Sequence, residues 1–434
     1  MNIARKRTHF LFILCCFSSI LAKAQPFYFP PDTGVWETIN TQNLGWCDDE
    51  LDDLHGFLEE KNTKAFIILK NGRIAVEWYY GTFTQDSIWY WASAGKSLTS
   101  TLIGIAQEEG LLSVDDPTQD YLGVGWTNTT AEQEAQITIR HQLTMTTGLN
   151  DAVFSCTNPI CLNFVAAAGT RWAYHNGPYT LLGKVIETTS GQSLNNYYSS
   201  RVGSKIAAPG AYVSIGFNKV FFSTARSMAR FGLLIQAGGV WDTTTVLGDL
   251  NYVTTMTSPS QELNPSYGYL WWLNGQSTYM LPATQTIFNG SLINTAPDDL
   301  YAALGKDDQK IYIVPSENLV VIRMGDVASE GSLALSDFDE VLWEKIMHLN
   351  CTTAVDQEMN NAPQLILSPN PVENQLKVTL DVAIETIFIY NSIGALVVQT
   401  KEDTINLSHL SAGVYFMNVK TKDQQMLFQK FVKQ

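Results

Sequence analysis

The order of strand-like and helix-like segments constrains the fold of this chain most. Residues 64–80 predict a β-hairpin, because two strand-like runs flank Asn71-Gly72, the dipeptide that most favours a two-residue hairpin turn. A long stretch with helical spacing follows, and strand-like runs return only from residue 267. Strands, then helices, then strands again predict an α+β domain with a helical lobe inserted into its sheet.

The segments can be placed along the chain. Helices are predicted at residues 98–109, 139–146, 179–189, 194–202, 224–237 and 335–349, and strands at 65–70, 73–80, 267–273, 300–304, 310–314 and 319–324. They predict an antiparallel sheet flanked by helices, plus an all-helical lobe that meets the sheet at a cleft. Ser93 begins the helical lobe, so we expect it at that cleft.

The first 24 residues have the pattern of an export signal peptide. Basic residues at positions 5–7 precede the apolar run 10–17, and Ala22-Lys23-Ala24 places small residues at the cleavage positions. We expect the exported chain to begin at Gln25, without a transmembrane segment. A lipoprotein signal ending at Cys15 or Cys16 is a less favoured alternative, because large apolar residues precede Cys15.

The charge and the cysteines narrow the choice of partners and compartment. A net charge of -15 argues against nucleic acid or an anionic membrane as the natural partner. Four cysteines remain beyond the predicted signal peptide, and an exported chain can form two disulfides from them. Of the three pairings we favour Cys156–Cys161 and Cys47–Cys351, and four free thiols are the alternative.

Ser93 and Lys96 are the first candidate catalytic residues. A helix starting near Ala94 would bring a Ser and a Lys three residues apart to the same side. Serine needs a neighbouring base to become a nucleophile, and a lysine serves as that base only when its pKa is lowered. The following segment is apolar on most faces and should bury Lys96. The spacing alone also fits a helix start with an exposed lysine.

Two later clusters could complete a site. Tyr174 and Asn176, in an extended loop, would point the same way, so Tyr174 could move a proton and Asn176 could bond Lys96 or a substrate carbonyl. His175 between them reads as a loop residue. The segment Gly305-Lys306-Asp307-Asp308-Gln309 ends a strand and could offer a backbone N–H to an oxyanion. Taken singly, each cluster also has the composition of an ordinary turn.

Together, the three clusters resemble the serine β-lactamase and penicillin-recognising family, most of all its class C branch with related esterases and 6-aminohexanoate-dimer hydrolases. That family's pattern is Ser-x-x-Lys, then Tyr-x-Asn, then Lys-Thr-Gly or a Gly-rich strand motif. The resemblance covers roughly residues 63–349, with supporting matches at 110–117, 137–149 and 267–272. It implies Ser93 as nucleophile, Lys96 as base, Tyr174 as general acid/base and Asn176 as support. The N–H groups of Ser93 and Lys306 would form the oxyanion hole.

The third motif departs from the family pattern. Lys-Thr-Gly is absent, and residues 305–309 resemble the Gly-x-Gly-Gly-Gln turn of the esterase-like branch, which makes Gly305, Lys306 and Gln309 candidate substrate-binding residues. Lys306 is not equated with the family lysine that binds a β-lactam carboxylate. We therefore expect an ester or amide substrate without that carboxylate. We also expect no metal or cofactor, because none of the six histidines lies in a His-Glu-x-x-His pattern. The alternatives are a D-alanyl-D-alanine peptidase or β-lactamase, and a catalytically silent surface binding protein.

The last part of the chain differs from the rest in composition and in the spacing of its predicted strands. Residues 353–363 are polar and read as a linker between a hydrolase domain (25–352) and a tail (364–434). Short alternating strands at 376–380, 386–390, 395–399, 413–419 and 426–432 predict a small all-β sandwich. Residues 368–372, 389–397 and 407–416 and the final Phe431-Val-Lys-Gln434 resemble a type IX secretion C-terminal sorting domain. That implies the type IX machinery as partner, and location outside the cell or on the outer-membrane surface of a Bacteroidetes-type bacterium. An ordinary surface-binding sandwich is the alternative.

Overall fold

The computed structural model describes residues 27–153, 156–328, 335–351, 365–380, 382–391, 395–422 and 426–434. The chain divides into two compact units, Met1–Cys351 and Thr352–Gln434. The predicted signal peptide (1–24) and linker (353–363) lie outside the described residues. Within the described ranges, no helix combines the length and the apolar character needed to cross a membrane.

The first unit is built around an antiparallel sheet of six strands, in the order β2-β1-β13-β12-β11-β8. Smaller sheets pair β3, β5 and β4, then β6 with β7, and β9 with β10. The strands are β1 (Thr63–Lys70), β2 (Arg73–Tyr79), β3 (Trp89–Tyr90), β4 (Gly210–Ile215), β5 (Asn218–Ser223), β6 (Val240–Trp241), β7 (Thr244–Thr245), β8 (Trp272–Leu273), β9 (Thr278–Met280), β10 (Ile287–Asn289), β11 (Tyr301–Gly305), β12 (Gln309–Val314) and β13 (Leu319–Gly325).

Ten helices accompany these strands in the described residues. Helices α2 to α7 fall between β3 and β4 in the chain and make up the predicted helical insert. The helices are α1 (Asp48–Glu60), α2 (Gly95–Glu108), α3 (Gln119–Leu122), α4 (Ala131–Glu134), α5 (Ile139–Leu143), α6 (Asn176–Ser190), α7 (Leu194–Tyr198), α8 (Ala225–Gln236), α9 (Leu250–Met256) and α10 (Asp337–Met347).

Helices cover both faces of the central sheet. On α8, a Cβ added to Gly232 would lie 2.6 Å from Val320 and 3.2 Å from Ile311, so this helix packs closely on one face of β12 and β13. Arg323 points to the other face, where its guanidinium lies 4.9 Å from the ring of Phe338 on α10. This two-sided burial explains why β11, β12 and β13 are almost continuously apolar.

The hairpin and the disulfides agree with the sequence predictions. Asn71 and Gly72 both have positive φ, at 52° and 80°, as a type I′ turn requires. Cys47 pairs with Cys351 at a Cα–Cα distance of 5.0 Å, and Cys156 with Cys161 at 6.2 Å. The first bridge joins the beginning and end of the first unit across 304 residues of sequence.

Several predicted boundaries were wrong for identifiable reasons. The strand predicted over 267–273 shrinks to β8, because Leu270 turns the backbone with φ 61°. The helix predicted over 194–202 ends at Tyr198 and continues as a π-helical turn, Ser199–Gly203. Helix α1 was missed since only Leu54 and Leu58 of its mainly polar surface are buried. The β4–β5 hairpin was missed as well.

The second unit is a small β-sandwich, as predicted. Two sheets, β14-β15-β18 and β17-β16-β19-β20, share one core that includes Val378, Ile389 and Met417. Two short strands, β14 and β18, were not predicted. The strands are β14 (Ile366–Ser368), β15 (Gln375–Thr379), β16 (Ile384–Asn391), β17 (Leu396–Thr400), β18 (Thr404–Asn406), β19 (Gly413–Thr421) and β20 (Met426–Lys433).

Candidate active site

Ser93 sits on a tight turn between β3 and α2. The turn is a 3₁₀ segment, Ala92–Ala94, and Ala92 has φ 47°, a conformation that costs free energy for a residue with a side chain. Trp91 anchors the turn: its N–H donates to Phe221 O at 2.8 Å. The first hydrogen bond of the turn is donated by Ala94, to Trp91 O at 3.0 Å, so the N–H of Ser93 precedes it and has no partner within the turn.

Lys96 lies beside Ser93 on the first turn of α2. Its Nζ donates a hydrogen bond to Ser93 Oγ at 2.9 Å. Every residue of α2 from Gly95 to Ala106 is buried. Among the residues that the structure describes, Lys96 forms no ion pair with a carboxylate. Burial lowers the pKa of the Lys96 ammonium from its ordinary 10.5 to about 7, because an apolar environment disfavours the charged form.

Two tyrosine rings enclose the Lys96 amine. Its Nζ lies 4.3 Å from the centre of the Tyr179 ring and 5.0 Å from that of Tyr174. The Ser93 side chain lies near the Tyr174 hydroxyl and slightly opposes the effect of burial on its pKa. Burial raises the pKa of Tyr174 well above its ordinary 10, so its hydroxyl stays protonated at neutral pH. A stacked ring, Trp272 at 5.8 Å, holds Tyr174 in place.

Asn176 occupies a different backbone position from the one predicted. It is the first residue of α6 rather than part of an extended loop, and His175 directly before it is extended. Asn176 is 93% buried, and its Oδ1 has no hydrogen-bond partner, so the expected bond from Lys96 is not made. This oxygen is therefore an unused acceptor next to the catalytic cluster. Burial lowers the pKa of His175 to about 4, so this imidazole is neutral at pH 7.

The Gly305–Gln309 segment packs directly against the serine turn. A Cβ added to Gly305 would lie 2.4 Å from Trp91 O and 3.0 Å from Ala94 N, so only glycine allows this approach. Lys306 follows with its side chain 61% exposed. The backbone N–H of Lys306 therefore lies one residue after Gly305, the residue that contacts the turn carrying Ser93.

Gln309 does not have the predicted substrate-binding role. Its Nε2 donates to Asp307 O at 2.7 Å and to Gly325 O at 2.6 Å, and its Oε1 accepts from Gly325 N at 3.1 Å. With all these bonds made inside the protein, the fully buried side chain holds β12 to β13. The two aspartates of the segment also separate, since Asp308 is buried and Asp307 is partly exposed.

A buried charge network that the sequence analysis missed lies behind this turn. Lys310 Nζ is 2.9 Å from Asp339 Oδ2 on α10 and 3.2 Å from Asp308 Oδ1. Arg323 Nη1 donates to the carbonyls of Asp308 and Asp307 at 2.9 and 3.2 Å. A signal was available: Lys310 and Arg323 are charged residues inside otherwise apolar strands, and buried charges require partners.

The geometry therefore assembles four chemical functions around one hydroxyl. Ser93 offers an oxygen nucleophile, Lys96 an amine that is partly unprotonated near pH 7, and Tyr174 a protonated hydroxyl. Backbone N–H groups of the serine turn and of the adjoining strand end can face an oxyanion. This set suits acyl transfer through a serine ester.

The fold and the arrangement of Ser93, Lys96 and Tyr174 agree with a β-lactamase-fold serine hydrolase family, and comparison with known proteins specifies that family. Residues 60–334 match the family described as Beta-lactamase. Because that match spans more than half of the chain, the protein belongs to the β-lactamase family. Residues 367–434 match the family described as Secretion system C-terminal sorting domain. The tail is accordingly a type IX sorting domain, which indicates export in Bacteroidetes-type bacteria.

Individual relatives are more distant. An uncharacterized protein of Alkalihalophilus pseudofirmus is 26% identical over 296 residues, covering 60% of this chain and 82% of its own length. The 6-aminohexanoate-dimer hydrolase of Paenarthrobacter ureafaciens is 33% identical over 72 residues, or 17% of this chain and 18% of that protein. The solved structure of a candidate 6-aminohexanoate-dimer hydrolase from Bacillus anthracis has a TM-score of 0.56 and 19% identity, covering 77% of this chain and 90% of that one. This last likeness establishes the fold.

Proposed function

We propose that the protein hydrolyses an ester or amide through an acyl-enzyme formed on Ser93. The observation that carries this proposal is the 2.9 Å hydrogen bond from a completely buried Lys96 to Ser93 Oγ. An amine whose pKa lies near 7 is unprotonated in a substantial fraction of molecules at neutral pH, and can accept the serine proton.

Acylation would proceed through three proton transfers. Ser93 Oγ attacks the substrate carbonyl carbon while its proton passes to Lys96, and the resulting oxyanion is bound by the N–H groups of Ser93 and Lys306. The carbonyl then reforms and the bond to the leaving group breaks. Tyr174 gives its proton to the departing oxygen or nitrogen and regains one from Lys96. Because burial keeps Tyr174 protonated at rest, its role is donation rather than initial proton abstraction.

Deacylation would use the same groups in reverse. A water molecule attacks the Ser93 ester and gives a proton to Lys96, directly or through the Tyr174 hydroxyl. Lys96 then returns a proton to Ser93 Oγ, which leaves as the serine hydroxyl while the acid product is released. Asn176 would support this cycle through its side-chain amide, whose Oδ1 makes no hydrogen bond within the protein.

We infer a substrate without a carboxylate beside the Gly305–Gln309 turn. The lysine of a Lys-Thr-Gly motif is absent there, and acidic residues follow Lys306. A relative named as a 6-aminohexanoate-dimer hydrolase, whose named substrate is joined by an amide bond, supports including amides in this proposal. A D-alanyl-D-alanine peptidase or β-lactamase, or a silent binding protein, would give different outcomes in the test below.

We also propose the route to the cell exterior. Residues 1–24 would direct export across the inner membrane, and the tail at 364–434 would engage the type IX machinery, leaving the hydrolase domain (25–352) secreted or on the outer-membrane surface. The predicted disulfides, both formed in the structure, suit that oxidising location.

A labelling experiment tests the mechanism. The purified chain is treated with a fluorophosphonate or with a penicillin, and the modified peptide is identified by mass spectrometry. We expect fluorophosphonate on Ser93, with p-nitrophenyl ester hydrolysis lost in Ser93→Ala by about a thousandfold or more. Ser199→Ala, an exposed serine on the π-helical turn, is the matched control and should keep both properties. Stable penicillin labelling or nitrocefin turnover would favour the peptidase or β-lactamase alternative. Ester and amide hydrolysis unchanged in Ser93→Ala would refute the assignment.

A further inference from the structure

Asp307 is a fixed carboxylate at the edge of the proposed catalytic cleft. It lies in the turn between β11 and β12 with φ 60°, and its side chain is 16% exposed. The hydroxyl of Tyr90 donates a hydrogen bond to its Oδ2 at 2.7 Å. The mechanism described above gives this carboxylate no task.

Two chain connections bring Asp307 close to the reacting atoms. On one side, Tyr90 is the last residue of β3 and stands three residues before Ser93. On the other, Asp307 directly follows Lys306, whose N–H is a proposed oxyanion donor, and Gly305 contacts the serine turn. Since successive Cα atoms are about 3.8 Å apart, the Asp307 backbone is one residue step from that donor.

The backbone of Asp307 is also held from behind. Its carbonyl accepts hydrogen bonds from Gln309 Nε2 at 2.7 Å and from Arg323 Nη1 at 3.2 Å. These contacts, together with the Tyr90 bond, limit how far the carboxylate can move away from an approaching group. The negative charge is therefore part of the rigid site rather than of a loose loop.

Asp308 does not share this position. It is 2% exposed, and its carboxylate accepts hydrogen bonds from Ser336 Oγ at 2.9 Å and Ala328 N at 3.1 Å while pairing with Lys310. Its charge is balanced inside the protein. Of the two acidic residues in the motif, Asp307 is the one a substrate can meet.

We propose that Asp307 sets the charge preference of the site by disfavouring anionic leaving groups and favouring neutral or cationic ones. The inference rests on the proposed function, because it concerns which esters and amides that chemistry accepts. A partly buried carboxylate repels a second negative charge more strongly than an exposed one, since less water screens the pair. The same field attracts an ammonium group carried by the leaving portion of the substrate.

Lys306 does not cancel this field. Its Nζ is 3.9 Å from Asp307 Oδ1, but its side chain is 61% exposed and its charge is screened by solvent. The carboxylate, by contrast, is held in place by Tyr90. A substrate at the cleft therefore meets a fixed negative charge and a mobile, hydrated positive one.

The test uses three butyrate esters that differ in leaving group: phenol, 3-hydroxybenzoate and 3-hydroxyphenyl-trimethylammonium. The value of kcat/KM is measured for each with the wild-type chain and with Asp307→Asn. We expect the variant to gain about tenfold on the anionic ester, lose about fivefold on the cationic ester and change less than about twofold on the neutral one. Because each comparison uses one substrate in two proteins, the intrinsic reactivity of each leaving group cancels. The differences should shrink at about 0.5 M salt.

Three further variants separate this role from others. Asp242→Asn is the matched control. Asp242 is an exposed aspartate in the turn between β6 and β7, and it also has positive φ (52°). This variant should leave kcat/KM unchanged for all three esters. Tyr90→Phe removes the hydrogen bond to Asp307 and keeps the charge of its carboxylate, so it should change kcat/KM by the same factor for all three esters. Lys306→Gln should lower activity on the anionic ester by less than about threefold.

The outcomes are distinct. Equal changes on all three esters in Asp307→Asn, with unchanged thermal unfolding, would show that Asp307 only anchors the turn and would overturn the proposal. A loss of about tenfold or more on the anionic ester alone in Lys306→Gln would show that Lys306 recognises the carboxylate, which also overturns it. If the wild-type chain cleaves none of the esters in a Ser93-dependent way, the proposed function itself fails.

Discussion

Lys96 and Lys310 are both completely buried, yet their surroundings are opposite. Lys96 lies between two tyrosine rings and donates to Ser93, with no carboxylate in ion-pair contact in the described part of the chain. Lys310 lies between Asp308 and Asp339, and Tyr312 donates to the same Asp339 at 2.5 Å. One lysine is desolvated without a counter-charge, and the other is surrounded by counter-charges.

The difference shows how one residue type serves two purposes. Removing water without supplying a counter-charge lowers the pKa of Lys96 to about 7, which makes its amine a base. Supplying two carboxylates compensates the buried charge of Lys310, so that it ties β12 to α10 behind the Gly305–Gln309 turn. In the first case desolvation produces reactivity, and in the second case pairing supports structure.

The largest expected effect comes from Lys96→Met, which preserves volume and removes the amine. We expect kcat/KM for a p-nitrophenyl ester to fall by about a thousandfold, because Ser93 loses its general base. We expect folding stability near pH 7 to rise, since the unfolded lysine is protonated there and burial penalises that form. Steady-state kinetics and urea unfolding measure the two effects. A less stable variant would contradict the view of Lys96 as an uncompensated buried amine.

Lys310→Met should show the reverse pattern. Removing the cation leaves Asp308 and Asp339 buried without it, and we expect unfolding free energy to fall by about 3–5 kcal/mol. Activity should fall less than in Lys96→Met at temperatures where the variant stays folded, since Lys310 contacts no reacting atom. Lys345→Met is the matched control, because Lys345 pairs with the largely exposed Asp53, and it should change stability by about 1 kcal/mol or less. If Lys96→Met and Lys310→Met lost similar amounts of both activity and stability, this comparison between the two lysines would be contradicted.

A smaller effect is expected from pH. Below a pH of about 7 the Lys96 amine is protonated and cannot accept the serine proton, so kcat/KM should fall about tenfold per pH unit on the acid side. Folding stability depends on pH in the opposite direction from that of a lysine paired with a carboxylate, whose contribution is lost as the pH rises. Between about pH 7 and 10.5 the unfolded chain binds a proton at Lys96 that the folded chain does not, so this residue makes stability increase with pH. An activity profile flat from about pH 5.5 to 8 would exclude Lys96 as the base.

Local sequence patterns predicted several features of the fold and of the candidate site. The Asn71-Gly72 turn predicted its hairpin, because the turn type depends on two adjacent residues. The pairing of Cys47 with Cys351 was the favoured one of three, because Cys156 and Cys161 are close enough in sequence to pair with each other. The proximity of Ser93 and Lys96 followed from helix geometry over a single turn, and the structure places the two side chains in contact.

Other features could not be read from neighbouring residues. Gln309 matched a glutamine of a substrate-site motif, but its hydrogen-bond partner Gly325 lies 16 residues away on another strand. Asp307 and Asp308 look equivalent in sequence, and they separate only because Lys310, Ser336 and Ala328 surround the second. Asn176 begins α6, whereas the sequence pattern predicted a helix only from residue 179 and a loop at Asn176.

The sequence by itself determined the family and the two-part organisation of the chain, and it predicted Ser93 and Lys96 as a nucleophile–base pair, because these depend on motifs, spacing and hydrophobic pattern. Only the tertiary structure decided that Lys96 has no carboxylate partner among the described residues while Lys310 has two, and that Asp307 is partly exposed while Asp308 is buried. The physical reason is that burial and charge pairing are properties of the space around a side chain. That space is filled by strands and helices distant in sequence, such as β13 and α10, and it sets both the pKa of an amine and the direction in which a carboxylate points.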